Sequence, residues 1–225
     1  LKRPWRAGRT KLKLLDVAPH FLTSIVQKRF PNLVINTLGF ADRRLYPGAD
    51  IGQHFPFDLN DAQFTDRWPR FGLHDIIIAG EVIEHLYTAP SLVLGFLASL
   101  LLPGGKLILT TPNAVAITKR VSLALGRHPY EMLRESRSNP GHVREYTWRE
   151  LESAGRSAGL VPFRVYLVNY FAHDGPIPAA ICKIGGVVPS LRDGITMVYD
   201  KPDEETPPQS GDVRSGLKLG RGAGD

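Results

Sequence analysis

Two apolar runs constrain this chain more than any other feature: Asp75–Ala79 (DIIIA) and Lys106–Thr111 (KLILTT). Apolar side chains on successive residues suit strands covered on both faces, as in a parallel sheet flanked by helices. Between the two runs, Ser91–Leu102 reads as a helix, with Pro90 in its first turn and Pro103-Gly104-Gly105 as its stop. The same alternation extends outward. Lys13–Val17 is a short strand ending in an acid, and Phe21–Phe30 has helical spacing up to Pro31. Leu33–Leu38 is a second strand and Phe57-Asp58-Leu59 a short third one. Thr147 and Glu150 form a capping box for a helix running to Gly159, and Val161–Tyr170 and Ile195–Tyr199 are the last strands. Strands alternating with helices predict an α/β domain with a mostly parallel sheet.

A chain of 225 residues, 43% of them hydrophobic, can bury one core, and no internal repeat divides it. One domain over residues 1–200 is expected, with an N-terminal portion missing or processed because the chain opens at Leu1. Residues 201–225, rich in Pro, Gly, Ser and charge, read as a disordered tail. The longest apolar stretch, Leu92–Leu102, is interrupted by Gly95 and Ser99 and is too short to span a membrane. Asp16 follows Leu14-Leu15 too soon for a signal peptide. The single cysteine, Cys182, excludes an intramolecular disulfide and a multi-cysteine metal site; it reads as a buried thiol, compatible with a cytoplasmic protein. The net charge of +6 gathers at the two ends, and Trp5, Trp68 and Trp148 show no stacking pattern, so nucleic acid is not expected as a partner.

Four segments, taken in order, carry a resemblance. They are Leu14-Leu15-Asp16-Val17; Asp75–Leu86 (DIIIAGEVIEHL); Leu101–Asn113 (LLPGGKLILTTPN); and His142–Thr147 (HVREYT) with Glu150-Leu151 and Ala158-Gly159-Leu160. In sequence and spacing they resemble the class I S-adenosylmethionine-dependent methyltransferases, over roughly Leu14 to Lys201. The resemblance implies a Rossmann-like, doubly wound sheet of seven strands, mostly parallel with an antiparallel last strand. It implies S-adenosylmethionine as cofactor and transfer of a methyl group to an O or N atom of a small molecule such as a sugar, lipid precursor or secondary metabolite. In open parallel sheets the ligand crevice lies beyond the carboxyl ends of the strands, where strand order reverses. Here the facing loops are Ala18–Leu22 and Gly80–Leu86.

The loop after the first strand departs from the family's D-x-G-x-G-x-G. Asp16 is kept, but Ala18, His20 and Leu22 stand where the glycines would be, making this a glycine-poor variant. Gly39 replaces the acid that ends the second strand, and Asp42 is an alternative to it. Asp58 with Leu59 matches the acid that bonds the adenine amine. Asp16 serves the cofactor's amine or caps the next helix. Gly80 is taken as cofactor-binding, Glu81 sits where family members contact the methionine part or line the pocket floor, and His85 shares a face with Glu81 if the segment is helical, or else bonds backbone.

For the acceptor, His142 is the general-base or orienting candidate, with a helix-flanking surface histidine as the competing reading. Asn113 bonds substrate or forms a turn, and Tyr146 lines the same pocket or belongs to the core. The stretches Ala114–Gly141 and Phe171–Gly194 are expected to form the substrate lid. No metal is expected: Glu84-His85 does not read as a zinc pair, there is no H-E-x-x-H, and the seven histidines lack ligand spacing. Two rival readings remain at this stage, a degenerate domain that only binds or scaffolds, motivated by the missing glycines, and an RNA methyltransferase, motivated by net charge.

Overall fold

A computed structural model describes residues 11–40, 52–136, 140–169, 187–203 and 218–220. The apolar runs become the middle of one sheet. Strand β1 (Lys13–Val17) pairs in parallel with β2 (Val34–Gly39) on one side and β4 (His74–Gly80) on the other. Strand β3 (His54–Pro56) extends the sheet beyond β2, and β5 (Leu101–Pro112) lies beside β4, all parallel. Strand β7 (Gly194–Asp200) runs antiparallel to both β5 and β6 (Val161–Val168). The order β3-β2-β1-β4-β5-β7-β6 is therefore a seven-stranded Rossmann-like sheet with one antiparallel member, the last of the seven in sequence. Within the segment read as a disordered tail, Lys218–Gly220 adds an edge strand, β8, parallel to β6.

Strand order reverses at β1. The crossover from β1 through helix α1 (Phe21–Arg29) moves one way along the sheet, and that from β4 through α2 (Pro90–Ser99) moves the other. Right-handed crossovers in opposite directions put their helices on opposite faces, so the sheet is doubly wound. Helix α3 (Ile117–Ala124) follows β5, and α4 (Trp148–Ser157) precedes β6. Ile77, Leu94, Leu97, Leu107 and Leu109 are essentially inaccessible and form the centre of the core. In α1, by contrast, Phe21 and Ile25 are exposed and only Thr23 is buried.

Several boundaries differ from expectation for physical reasons. Helix α2 ends at Ser99 rather than Leu102, because Leu101 pairs with His74 at the start of β4. Pro103-Gly104-Gly105 lies inside β5, at an irregularity in the ladder, and is not a stop before it. The third strand falls on His54–Pro56, and Asp58 instead caps a 3-10 turn over Leu59–Gln63. Glu81 and His85 do not share a helical face: Glu81 is left-handed and His85 closes a single 3-10 turn, Ile83–His85. The capping box of α4 forms as read, with Glu150 Oε2 accepting from Thr147 N (2.8 Å) and Thr147 Oγ1 from Glu150 N (3.3 Å). Trp5, Asp42, Cys182, most of the second expected lid and most of the tail lie outside the described residues.

Candidate active site

The carboxyl ends of β1, β2 and β4 open into a crevice of about 290 Å³, near the lower size of small-molecule sites. Ala18 and Gly39 form its floor, Phe57 and Leu86 are among its apolar walls, and Asp58 and His54 supply polar groups. Two residues at its strand exits have left-handed backbones, Ala18 (φ 51°) and Glu81 (φ 53°). Among the described residues these are the non-glycine positions with positive φ, and such outliers gather at functional sites. Ala18 therefore keeps the turn a glycine would make, held by its N–H to Leu38 O (2.8 Å). Pro19 and His20 do not close the crevice, because His20 turns away to cap α1, its Nδ1 accepting from Leu22 N (3.2 Å). That bond requires an unprotonated Nδ1, and burial lowers the His20 pKa in agreement.

Gly39 leaves room that an acidic side chain would occupy: a Cβ there would touch Ala18 Cα at 3.6 Å and Pro19 Cδ at 3.7 Å, ordinary contacts. Asp58 lines the crevice while its Oδ1 accepts from Asn60 N (2.9 Å), and Leu59 beside it is buried. His54, which sequence reasoning missed, is wedged between strands, its Nδ1 accepting from Thr37 Oγ1 (2.8 Å) and its Nε2–H donating to Phe40 O (2.9 Å). Its position became visible only once β3 was placed. Asp16 does not line the crevice. It is buried, accepts from Thr23 Oγ1 in α1, and is pushed up to about 6 by burial, with the Thr23 bond opposing. The crevice is thus a mainly apolar slot with the Asp58 carboxylate in its lining.

A second, larger cavity of about 840 Å³ lies between the stretch after β5 and the segment leading into α4. Its wall includes His128, Tyr130, Met132, His142, Arg144 and Glu145, part of it from the stretch expected to form the lid. The segment between β4 and α2 joins the two spaces. Val82 and Leu86 face the crevice, whereas Glu84 O accepts from Val143 N (2.7 Å) and Arg144 N (3.1 Å), which brings His142 against His85. The two imidazole rings meet edge to face with centroids 4.8 Å apart. His142 Nδ1–H donates to Glu145 Oε1 (3.1 Å), and Glu145 also pairs with Lys119. His85 Nδ1–H donates to Gly141 O (2.9 Å). Burial, and then His85, hold His142 below the usual histidine range.

At the exit of β4 and β5, Thr110 Oγ1 donates to Glu81 Oε1 (2.7 Å) and Thr111 Oγ1 to Glu84 Oε2 (2.9 Å). A Cβ on Gly80 would lie 3.4 Å from Thr110 Oγ1 and 3.9 Å from His20 Nε2, so this glycine sits beneath both loops. Glu84, given no role from sequence, is fully buried; burial and then the Glu81 carboxylate, with which it also shares a side-chain hydrogen bond, hold its carboxyl well above the usual carboxylate range. The two residues expected to bind substrate are instead internal struts. Asn113 donates to Ser190 O (3.1 Å) and Arg192 O (2.7 Å) while its Oδ1 accepts from Val115 N (3.2 Å). Tyr146 is buried in the core and bridges to Asn113 through its backbone, and neither residue lines the cavity.

A family model described as a methyltransferase domain matches residues 21–164 of the chain. No curated protein sequence matches it. Among solved structures it is similar to an O-methyltransferase family protein from Burkholderia thailandensis, at 17% identity and TM-score 0.51, over 87% of this chain and 52% of that one. It is also similar to a SAM-dependent methyltransferase from Archaeoglobus fulgidus, at 12% identity and TM-score 0.53, over 85% and 86% of the two chains. A third is the N-methyltransferase NodS from Bradyrhizobium japonicum, in complex with S-adenosyl-L-homocysteine, at 12% identity and TM-score 0.50, over 85% and 79%. The chain spans about half the length of the Burkholderia protein. These likenesses agree on the fold. No helix among the described residues is long and apolar enough to cross a membrane.

Proposed function

The chain belongs to the methyltransferase domain family, as a class I S-adenosylmethionine-dependent member, and on that premise we propose that it methylates an O or N atom of a small molecule held in the larger cavity. The observation that carries this reading is the link between the two spaces. Val82 and Leu86 line the crevice, and between them Glu84 and His85 hold the strip that carries His142, Val143 and Arg144 into the wall of the larger cavity. In this reading Asp58, Leu59, Ala18 and Gly39 hold the nucleoside end of the cofactor, and Gly80 and Glu81 its amino-acid end.

When bound, S-adenosylmethionine supplies a methyl group on a sulfonium that leaves as a neutral thioether. The protein therefore need not protonate a leaving group; it orients the acceptor, excludes water and accommodates the acceptor's proton. His142 is placed for that last task. Its Nδ1–H is committed to Glu145, so the neutral ring leaves Nε2 unprotonated, and its lowered pKa keeps it neutral near pH 7.

Calorimetric titration with S-adenosylmethionine and S-adenosylhomocysteine tests the reading. Saturable micromolar binding, weakened at least tenfold in Asp58→Ala and Glu81→Ala, is expected. A folded protein that binds neither ligand would overturn it in favour of a binding or scaffold domain.

A further inference from the structure

Three donor atoms converge between the crevice and the larger cavity. One ligand atom each from Glu84, His85 and His142 lie within 4.8 Å of one another. The hydrogen bonds around them leave the right atoms available. His85 Nδ1 faces a carbonyl oxygen, Gly141 O at 2.9 Å, and so must carry the ring proton. His142 Nδ1 faces a carboxylate oxygen, Glu145 Oε1 at 3.1 Å, and must carry its own. Each neutral ring is thereby fixed in the tautomer whose Nε2 is a lone pair. These are the outer bonds that metal-ligating histidines make, one to a backbone carbonyl and one to a carboxylate.

Glu84 completes the set. Its Oε2 accepts from Thr111 Oγ1, while its Oε1 is buried with no backbone or hydroxyl donor on it, and the side chain with which the residue also shares a hydrogen bond is another carboxyl, Glu81. A buried carboxylate oxygen left unsatisfied is costly unless a proton or a cation meets it. The Glu81 carboxylate nearby adds negative charge to the same point. Donors around one ion at about 2.1 Å lie roughly 3–4 Å apart, so small side-chain rotations close the site.

We propose that Glu84 Oε1, His85 Nε2 and His142 Nε2 bind one divalent first-row transition-metal ion, and that this ion holds a hydroxyl oxygen of the methyl acceptor. The second half rests on the methyltransferase reading above. Two imidazoles and one carboxylate suit ions from Mn²⁺ to Zn²⁺, whereas Mg²⁺ and Ca²⁺ favour oxygen-only shells. Three protein ligands leave coordination positions open, and His142 also lines the cavity, so acceptor oxygens reach the ion from there. A metal-held hydroxyl loses its proton to solvent more readily. His142 is then a ligand rather than the proton acceptor, since one lone pair cannot do both. The acceptor class this selects is a hydroxyl, best with a second oxygen adjacent.

The test is calorimetric titration of the metal-stripped full chain with ZnCl₂, and with CoCl₂ as a coloured probe. One ion per chain is expected, with visible Co²⁺ absorption bands, and affinity at least tenfold weaker in Glu84→Gln, His85→Gln and His142→Gln. His128→Gln, on the cavity wall outside the cluster, keeps wild-type affinity. Because Glu84 is buried, each variant's apo melting temperature is compared with wild type; the partly exposed His142 keeps the test decisive if Glu84→Gln does not fold. Absence of stoichiometric binding, or binding unmoved by His85→Gln and His142→Gln, overturns the site. Methyl transfer undiminished in metal-stripped protein overturns the ion's role at the acceptor and leaves the methyltransferase reading standing. Metal binding as expected in a chain that binds no S-adenosylmethionine supports the site and counts against that reading alone.

Discussion

At the scale of single residues, the crevice is built from substitutions that keep backbone shape while changing chemistry. Ala18 holds a left-handed φ of 51° that costs an L-residue about 1–2 kcal/mol, against about 0.5–1 kcal/mol for the extra chain entropy of glycine. Ala18→Gly should therefore stabilise the protein by about 0.5–1 kcal/mol, read as a raised denaturation midpoint; a lowered midpoint would show the strain to be absent. Asp16 gives a pH prediction. Its pKa rises from 3.8 to about 6 on folding, so its contribution to stability is fully present below pH 3.8 and is lost as pH rises through about 6. The loss is about 3 kcal/mol for a buried acid with this shift. Melting temperatures of Asp16→Asn and wild type should diverge between pH 4 and 6, in favour of Asn at the higher pH, and parallel curves would contradict the shift. The sequence marked Asp16, Ala18 and Glu81 as site residues through their places after strands. It could not show that Asp16 turns toward Thr23, or that Asn113 spends its amide on Ser190 and Arg192, because both depend on segments remote in sequence or on the packing of α1.

At the scale of elements, α4 shows how one small residue sets a packing distance. A Cβ on Gly155 would lie 2.3 Å from Tyr199 Cε1 in β7, and Tyr199 cannot withdraw because its hydroxyl is bonded to Leu151 O at 2.9 Å. Gly155→Ala gains about 1 kcal/mol of helix propensity but must displace that ring, so a net destabilisation of roughly 2 kcal/mol is expected in chemical denaturation. Tyr199→Leu in the same chain should recover part of it, whereas additive losses would argue against the contact. The capping box of α4 was legible in sequence because all its partners lie within one turn. The end of α2 was not, because pairing of Leu101 with His74 in β4 ended the helix early. Local signals located elements; long-range pairing moved their ends.

At the scale of the whole molecule, the crevice proposed for the cofactor needs β1, β2 and β4 together, so ligand binding should report on the folded sheet. S-adenosylmethionine at one hundred times its Kd should stabilise the chain by about 2.7 kcal/mol, visible as a rise in melting temperature that follows ligand concentration. An unchanged melting temperature would mean that the crevice does not hold the cofactor. The order β3-β2-β1-β4-β5-β7-β6, with its reversal beside β1, is where the crevice forms. The sequence by itself determined the fold class, because a buried parallel sheet demands apolar runs, and DIIIA and KLILTT supply them whatever surrounds them. It also placed the strand-exit residues that border the crevice, through motif order and spacing. Only the tertiary structure decided which side chains face a cavity and which serve as struts. Glu84 and His85 adjoin in sequence, but His142 joins them through backbone bonds from Val143 and Arg144 to Glu84 O, and no linear spacing encodes that contact. Periodicity is a property of neighbouring residues, whereas a site assembled from three chain segments exists only after the chain has closed on itself.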